Sequence, residues 1–355
     1  MRQARLLGLK TIEIRDVAAP ALNPGEIRVK IRAALTCGTD LKTYRRGHPK
    51  LGFGPFGHEA SGDVSAVAAD VSKFSVGDAV MWVQSAPCAA CPACLSGRDN
   101  LCEKLLEGMA LGAYADELVL PKKVVERNVF PKPANLSYVE AAFLEPLACV
   151  VHGWHRLARL GSPRDVAIVG AGTIGMLHLQ YAVRAGIPAT VIARRPDRRT
   201  LATRLGARDF WLADDLGRRR SSQDDRSTAP PADRTGPFEA VIECAGNPES
   251  WTLAVSLARP GGAVLLFGGL PGGSQPDVDA TRLHYDELAL LGTFHFTPDD
   301  VVEAREFLCS GLLDAQSLIS AIEPLSALPQ VFERLDNSQG YKYAIVPDSA
   351  LPEWV

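Results

Sequence analysis

Up to about residue 145, apolar and polar positions alternate in short runs divided by turn residues. EIRVKIRAALT (26–36) puts every second side chain on one face, and VGDAVMWV (76–83) follows a Gly-Asp turn. A period of two predicts strands of an antiparallel β domain. From about residue 146 the pattern changes. RDVAIVGAGTIGMLHLQYAVRAG (164–186) predicts a short apolar strand, a glycine turn and an apolar helix. ATVIARR (189–195) is a second buried strand, and RRTLATRLGA (198–207) a helix ended at Gly206. EAVIECAG (239–246) and GGAVLLFGG (261–269) are further apolar strands, with the helical stretch ESWTLAVSLARP (249–260) between them. Strands apolar on both faces, alternating with helices, predict a parallel sheet covered on both sides and an α/β fold class. A helix, PDDVVEAREFLCSG (298–311), and a closing strand, KYAIVP (342–347), are expected to return to the first domain.

One segment breaks the alternation. GRRRSSQDDRSTAPPADRTGP (217–237) has no large apolar side chain. It cannot bury enough surface to offset the ordering of its backbone, so it is expected to be a flexible surface loop where a helix would usually lie.

The 355 residues leave room for two cores, and 46% hydrophobic and 22% charged residues with a net charge of −3 describe an ordinary globular chain. That balance gives no pull towards nucleic acid or an anionic membrane. The opening MRQARLLGLKTIEIRD carries charges every few residues, unlike a signal peptide. No run approaches the roughly 18 apolar residues of a membrane span. The expected compartment is the reducing cytoplasm, where disulfides are rare.

This bears on the cysteines. Four of the eight fall in the pattern Cys88-x2-Cys91-x2-Cys94-x7-Cys102, among Pro87, Pro92, Ser96, Gly97 and Asn100. Turns can point four sulfurs inward there, and four thiolates suit a tetrahedral structural zinc with no position left for substrate. Disulfides between such near neighbours would be strained.

GAGTIG (170–175) follows the strand VAIV and opens a helix, the context a dinucleotide fingerprint requires. Gly170 permits the turn, Gly172 lets a pyrophosphate approach, and Gly175 lets helix and strand pack closely; Thr173 and Ile174 lie between them. The helix N-terminus supplies free N–H groups for the phosphates. An acid at the end of the second strand would favour NAD. That position holds Ala193, followed by Arg194 and Arg195, which suit a 2′-phosphate; NADP is therefore expected over NAD.

CGTD (37–40), GHEASG (57–62) and FLEPLACVVHG (143–153) bring Cys37, His58 and Glu145. A soft, a borderline and a hard donor suit a catalytic zinc with one open position. Scattered as they are, the three gain weight beside the four-cysteine lobe and the nucleotide motif.

In this order of motifs, and over nearly its whole length, the chain resembles the zinc-dependent medium-chain alcohol/polyol dehydrogenases; EP at 145–146 is similar to the sorbitol and threonine dehydrogenase branches. The resemblance implies a GroES-like β-rich catalytic domain, residues 1–146 and 291–355, with a structural-zinc lobe at about 86–104, and a Rossmann domain over 147–290. It implies two zincs per chain. Cys37, His58 and Glu145 match the catalytic-zinc positions, Glu59 a carboxylate that some members use as an alternating ligand, and Asp40 a carboxylate that orients the histidine. Thr39 matches the hydroxyl that passes on the alcohol proton. Lys42 stands where many relatives have a histidine; an exposed charge, a relay and an anion contact are all open readings.

LKTYRRGH (41–48) offers Tyr44, Arg45, Arg46 and His48, a polar set suited to a hydroxylated substrate. TFHFTP (293–298) resembles a stretch near the cleft of polyol dehydrogenases, although His295 reads equally as structural. The expected activity is interconversion of a secondary alcohol of a polyol, sugar or cyclitol, including amino derivatives, with its ketone. Threonine dehydrogenase-like oxidation of an amino alcohol and a non-catalytic zinc/NADP redox sensor are the alternatives. A homo-dimer or homo-tetramer is expected, with GGAVLLFGG as a candidate edge for sheet extension between subunits.

Overall fold

The computed structural model describes residues 1–48, 50–219 and 236–349. They fall into two compact units, one of residues 1–148 with the segment from 296 onwards, the other of residues 149–295. Among the described residues, no helix is long and apolar enough to cross a membrane.

The first unit is built on a seven-stranded sheet. Its order is Ile319–Pro324, Lys342–Val346, Ile27–Leu35, Glu59–Val67, Ala79–Trp82 and Val129–Pro131, with Glu117–Leu120 also paired to Ile27–Leu35. The closing strand thus lies inside the sheet, parallel to Ile319–Pro324 and antiparallel to Ile27–Leu35. Along Ile27–Leu35 the side chains of Ile27, Val29 and Ile31 are buried in alternation, and from Ala33 both faces are covered. That change of period accompanies the approach to Cys37. The core gathers Trp82, Tyr114, Phe56, Leu328, Val331 and Phe332. A smaller sheet joins Thr11–Asp16, Arg2–Gly8 and Gly54–Pro55.

The second unit holds a six-stranded parallel sheet in the order Asp209–Leu212, Ala189–Ala193, Val166–Val169, Phe238–Glu243, Ala258–Leu266, Ala289–Gly292. Numbered along the chain this is 3-2-1-4-5-6, the order of a Rossmann fold, whose switch point lies beside Val166–Val169. Two expectations are corrected. GGAVLLFGG is not an edge: its strand, Ala258–Leu266, is paired on both sides, and the edges are Asp209–Leu212 and Ala289–Gly292. A fully apolar run of this kind is what a strand needs when it is covered on both faces and flanked on both sides. Of the loop expected at 217–237, residues 220–235 lie outside the described residues, whereas 217–219 finish the helix Ala213–Arg219.

Candidate active site

Cys37 is the N-cap of the helix Gly38–Arg46, and its sulfur accepts the N–H of Thr39 at 3.4 Å. A helix N-terminus favours negative charge on that sulfur. Burial acts the other way and raises the Cys37 thiol, with Glu59 adding to the effect. His58 and Glu59 enter at the start of the strand Glu59–Val67, where Glu59 pairs in register with Leu35. Pairing of these two strands, one leading to Cys37 and the other carrying Glu59, brings the segments of Cys37, His58 and Glu59 together. Single donor atoms of Cys37, His58 and Glu59 all lie within 4.8 Å of one another.

His58 and Glu59 are both buried, at 8% and 1% exposure. His58 Nδ1 lies 3.4 Å from Asp40 Oδ1, and Asp40 Oδ2 accepts the hydroxyl of Tyr114 at 2.9 Å. Burial opposes a charge on His58, but Asp40 and Cys37 outweigh it and lift its pKa well above the ordinary value. Lys342 reaches in from the closing strand and donates to a Glu59 carboxylate oxygen and to the carbonyl of Thr36. Thr39 is exposed beside Cys37, and Thr43 donates to its carbonyl at 2.9 Å. A cavity of about 40 Å³ opens among Thr39, Asp40, Thr43 and His58.

Glu145 lies in the first turn of the helix Leu144–Ala158, buried at 5% exposure. The structure leaves it outside the group of three donors within 4.8 Å. Its Oε1 accepts a 2.8 Å bond from Gln84 Nε2, and its charge raises the pKa of Glu59. Of the polar set expected around a substrate, Tyr44 is buried against Phe332, Arg45 is bonded to Asp336, and His48 Nδ1 accepts the N–H groups of Lys50 and Leu51. Tyr44 and Arg45 thus meet the helix Leu328–Asp336, and His48 closes the turn after its own helix, while Arg45 stays exposed. Arg46 is exposed and Lys42 half-buried.

Cys88, Cys91, Cys94 and Cys102 also bring their sulfurs within 4.8 Å of one another. Sulfur–sulfur distances are 4.0 Å for Cys88–Cys94 and 3.5 Å for Cys91–Cys94. Zinc–sulfur bonds of about 2.3 Å would give a tetrahedral edge of about 3.8 Å, so the group fits one ion. All eight cysteines are free of disulfides. The N–H groups of Ala90 and Cys91 pull the Cys88 thiol down to about 6 and backbone N–H groups lower Cys91 as well, whereas burial raises the thiols of Cys94 and Cys102. Apart from the cysteines, Leu105 is the only buried apolar residue in this small cluster.

In the second unit Gly170 takes φ 113°, and Gly172 caps the helix Thr173–Arg184. A Cβ on Gly175 would lie 1.9 Å from the Gly170 carbonyl oxygen, so the helix can start this close to the strand only with glycine there. Thr173 and Ile174, partly exposed, form the opening turn of the helix. Ala193 ends its strand buried; Arg194 and Arg195 are exposed beyond it. Arg195 is held by Asp197 through two bonds, of 3.1 and 2.6 Å. At the end of the strand Phe238–Glu243, Glu243 Oε1 accepts the N–H groups of Ala245 and Gly246, both at 2.7 Å, and the hydroxyl of Ser250. His295 sits in left-handed backbone, φ 60°.

Lys342, Gln84 and Tyr114 were not anticipated. Lys342 alone left a trace, a cation at the head of an otherwise apolar closing strand. Gln84 and Tyr114 are hydrogen-bonding side chains in apolar surroundings with no spacing to mark them.

Residues 23–133 match the alcohol dehydrogenase GroES-like domain, and residues 173–310 match the zinc-binding dehydrogenase domain. An alcohol dehydrogenase of Geobacillus stearothermophilus is 30% identical over 93% of this chain and 94% of its own length. The chain belongs to the zinc-dependent medium-chain alcohol/polyol dehydrogenases. Sorbitol dehydrogenase of Bacillus subtilis is 28% identical over 94% of this chain and 93% of the relative. Galactitol 1-phosphate 5-dehydrogenase of Escherichia coli is 32% identical over 69% and 68%. A zinc-binding dehydrogenase of Sinorhizobium meliloti bound to NADP superposes with a TM-score of 0.86 at 29% identity, covering 98% of this chain and 99% of the other. The protein is therefore an oxidoreductase, and its two domains are the GroES-like and Rossmann units of that family.

Proposed function

We propose that this dehydrogenase is zinc-dependent, prefers NADP(H), and interconverts a secondary hydroxyl of a polyol, sugar or cyclitol, amino-substituted ones included, with the ketone. The observation that carries the reading is the convergence of one thiol, one imidazole and one carboxylate, Cys37, His58 and Glu59, within 4.8 Å. Glu145 is buried within electrostatic reach of them. This donor set fits zinc by its chemistry. Cys37, His58 and Glu145 are the proposed ligands, with Glu59 alternating, and Cys88, Cys91, Cys94 and Cys102 hold a second, structural ion.

Bound there, zinc supplies a Lewis acid that makes the alcohol hydroxyl acidic at neutral pH. Bound NADP supplies the hydride acceptor, and the chain's own residues orient the donors and carry the proton. Asp40 orients His58. Thr39 Oγ1, exposed beside Cys37, takes the alcohol proton and passes it on. The cavity shared by Thr39 and Thr43 has room for about one ordered water to receive it. Lys342 and Gln84 hold the two competing carboxylates, Glu59 and Glu145, each from its own side.

Support for NADP comes from Ala193 in place of an acid, with Arg194 and Arg195 exposed after it. The sugar-alcohol substrate class rests on the names of the relatives. The test is a panel of polyols, sugar acids and cyclitols with NADP and NAD, followed by absorbance of the reduced cofactor. Turnover of a polyhydroxylated substrate that ceases when the labile zinc is chelated is expected, with kcat/KM about tenfold or more higher for NADP. Turnover that survives removal of that zinc would overturn the mechanism, and tenfold better use of NAD the cofactor assignment.

A further inference from the structure

We propose that Tyr114 is a positioning residue for His58, acting through Asp40; the proposal rests on the reading of Cys37 and His58 as zinc ligands. Tyr114 is wholly buried. Its hydroxyl lies 2.9 Å from Asp40 Oδ2 and 3.0 Å from the carbonyl oxygen of Leu35. One proton faces two acceptors, and the charged carboxylate is the stronger of them. The other oxygen of Asp40 faces His58 Nδ1 at 3.4 Å. A proton kept on Nδ1 leaves the Nε2 lone pair for a metal. Tyr114, Asp40 and His58 thus form one chain of polar contacts ending at the proposed ligand.

The ring is fixed as firmly as the hydroxyl. Phe56 packs against it with centroids 4.9 Å apart at 69°, and Phe332 at 6.1 Å and 81°. Gly57, immediately before His58, has φ 91°, and a Cβ there would come within 2.7 Å of the Tyr114 ring. The side chain therefore touches both ligand-bearing segments. The ring lies against the residue before His58, and the hydroxyl lies between Leu35 and Asp40, which flank Cys37. A phenylalanine would fill the same apolar space. A buried hydroxyl has to find a partner, and the partner here is the carboxylate that orients the histidine.

The test is Tyr114→Phe in the zinc-loaded enzyme. Release of the labile metal to a chromogenic chelator and the visible ligand-field spectrum of the cobalt-substituted protein are read beside Tm. Release of the labile metal is expected to be about three- to tenfold faster, below the 10- to 100-fold typical of losing a direct partner of a ligand. The cobalt bands should shift, and metal held by the four cysteines should leave at the wild-type rate. Asp40→Asn should give the larger effect, and Tyr114→Phe should add nothing on top of it. Wild-type release and an unshifted cobalt spectrum in Tyr114→Phe would overturn the proposal, as would an undiminished effect in the Asp40→Asn background. If Tyr114→Phe does not fold, 3-fluorotyrosine at position 114, a stronger donor, is expected to slow release, and unchanged or faster release overturns the proposal. A wild-type protein that binds metal only at the four cysteines would instead overturn the zinc reading itself.

Discussion

Lys342 Nζ donates to the carboxylate of Glu59, and both side chains are almost wholly buried, at 4% and 1% exposure. The same ammonium donates to the Thr36 carbonyl at 2.6 Å, one residue before Cys37. Burial opposes the charge on Lys342, but Glu59 and Cys37 outweigh it and hold its pKa above the ordinary lysine value. The cation is thus a built-in counter-charge for a group of acidic donors. Removing it strands a carboxylate in the core. Lys342→Met is expected to lose about 3–5 kcal/mol of stability, measured by urea denaturation of the first unit's signal. Lys342→Met with Glu59→Leu should recover most of that loss; a single variant as stable as the parent would show that the pair contributes nothing.

His178 gives a pH dependence of stability. It is fully buried in the helix Thr173–Arg184, its ring meeting Phe267 edge-on at 4.9 Å, and neither ring nitrogen has a hydrogen-bond partner among the described residues. Burial lowers its pKa from 6.5 to about 3. Between those values the unfolded chain binds a proton that the folded chain excludes, so stability falls as pH falls. The slope from this one residue is about 1.4 kcal/mol per pH unit. His178→Leu should be the more stable protein at pH 5, with a smaller drop in Tm from pH 7 to pH 5 than the parent shows. Equal drops would refute the assignment.

Gly175→Ala tests the nucleotide turn. The added methyl meets the Gly170 carbonyl, a backbone atom that cannot rotate away. A loss of about 1–3 kcal/mol is expected, with weaker binding of NADPH in a fluorescence titration. Unchanged affinity would mean that the turn is not the phosphate cradle.

Arg195 is paired with Asp197, so a 2′-phosphate would have to compete for it. Asp197→Asn removes one carboxylate from an exposed pair, so the change should be small: kcat/KM for NADP relative to NAD is expected to rise by a factor of about two to five. A fall in that ratio would show that Arg195 has no part in cofactor choice.

The four-cysteine lobe has almost no apolar material to hold it closed. Cys102→Ser is expected to remove one zinc per chain by elemental analysis and to open residues 88–102 to proteolysis. Retention of two zincs would exclude the tetrathiolate site.

The alternation of EIRVKIRAALT and the all-apolar VAIV and ATVIA were sufficient to foresee the two kinds of sheet, because side-chain period and burial are local properties. The Gly170, Gly172 and Gly175 turn was legible for the same reason. What escaped prediction depends on contacts between distant positions. Lys342 meets Glu59 across 283 residues of chain, and Tyr114 meets Asp40 across 74. Pairing of both sides of Ala258–Leu266 depends on where Ala289–Gly292 docks, which an apolar run does not reveal. Spacing likewise could not reveal that Tyr44, Arg45 and His48 each have a partner within the fold, namely Phe332, Asp336 and the N–H groups after His48.

Insertion of Lys342–Val346 between Ile27–Leu35 and Ile319–Pro324 has a consequence for synthesis. A ribosome delivers Cys37, His58 and Glu59 long before it delivers their counter-charge. The sheet of the N-terminal half and the Glu59–Lys342 pair can be completed only after residues 342–346 have been made, later than every residue of the Rossmann unit.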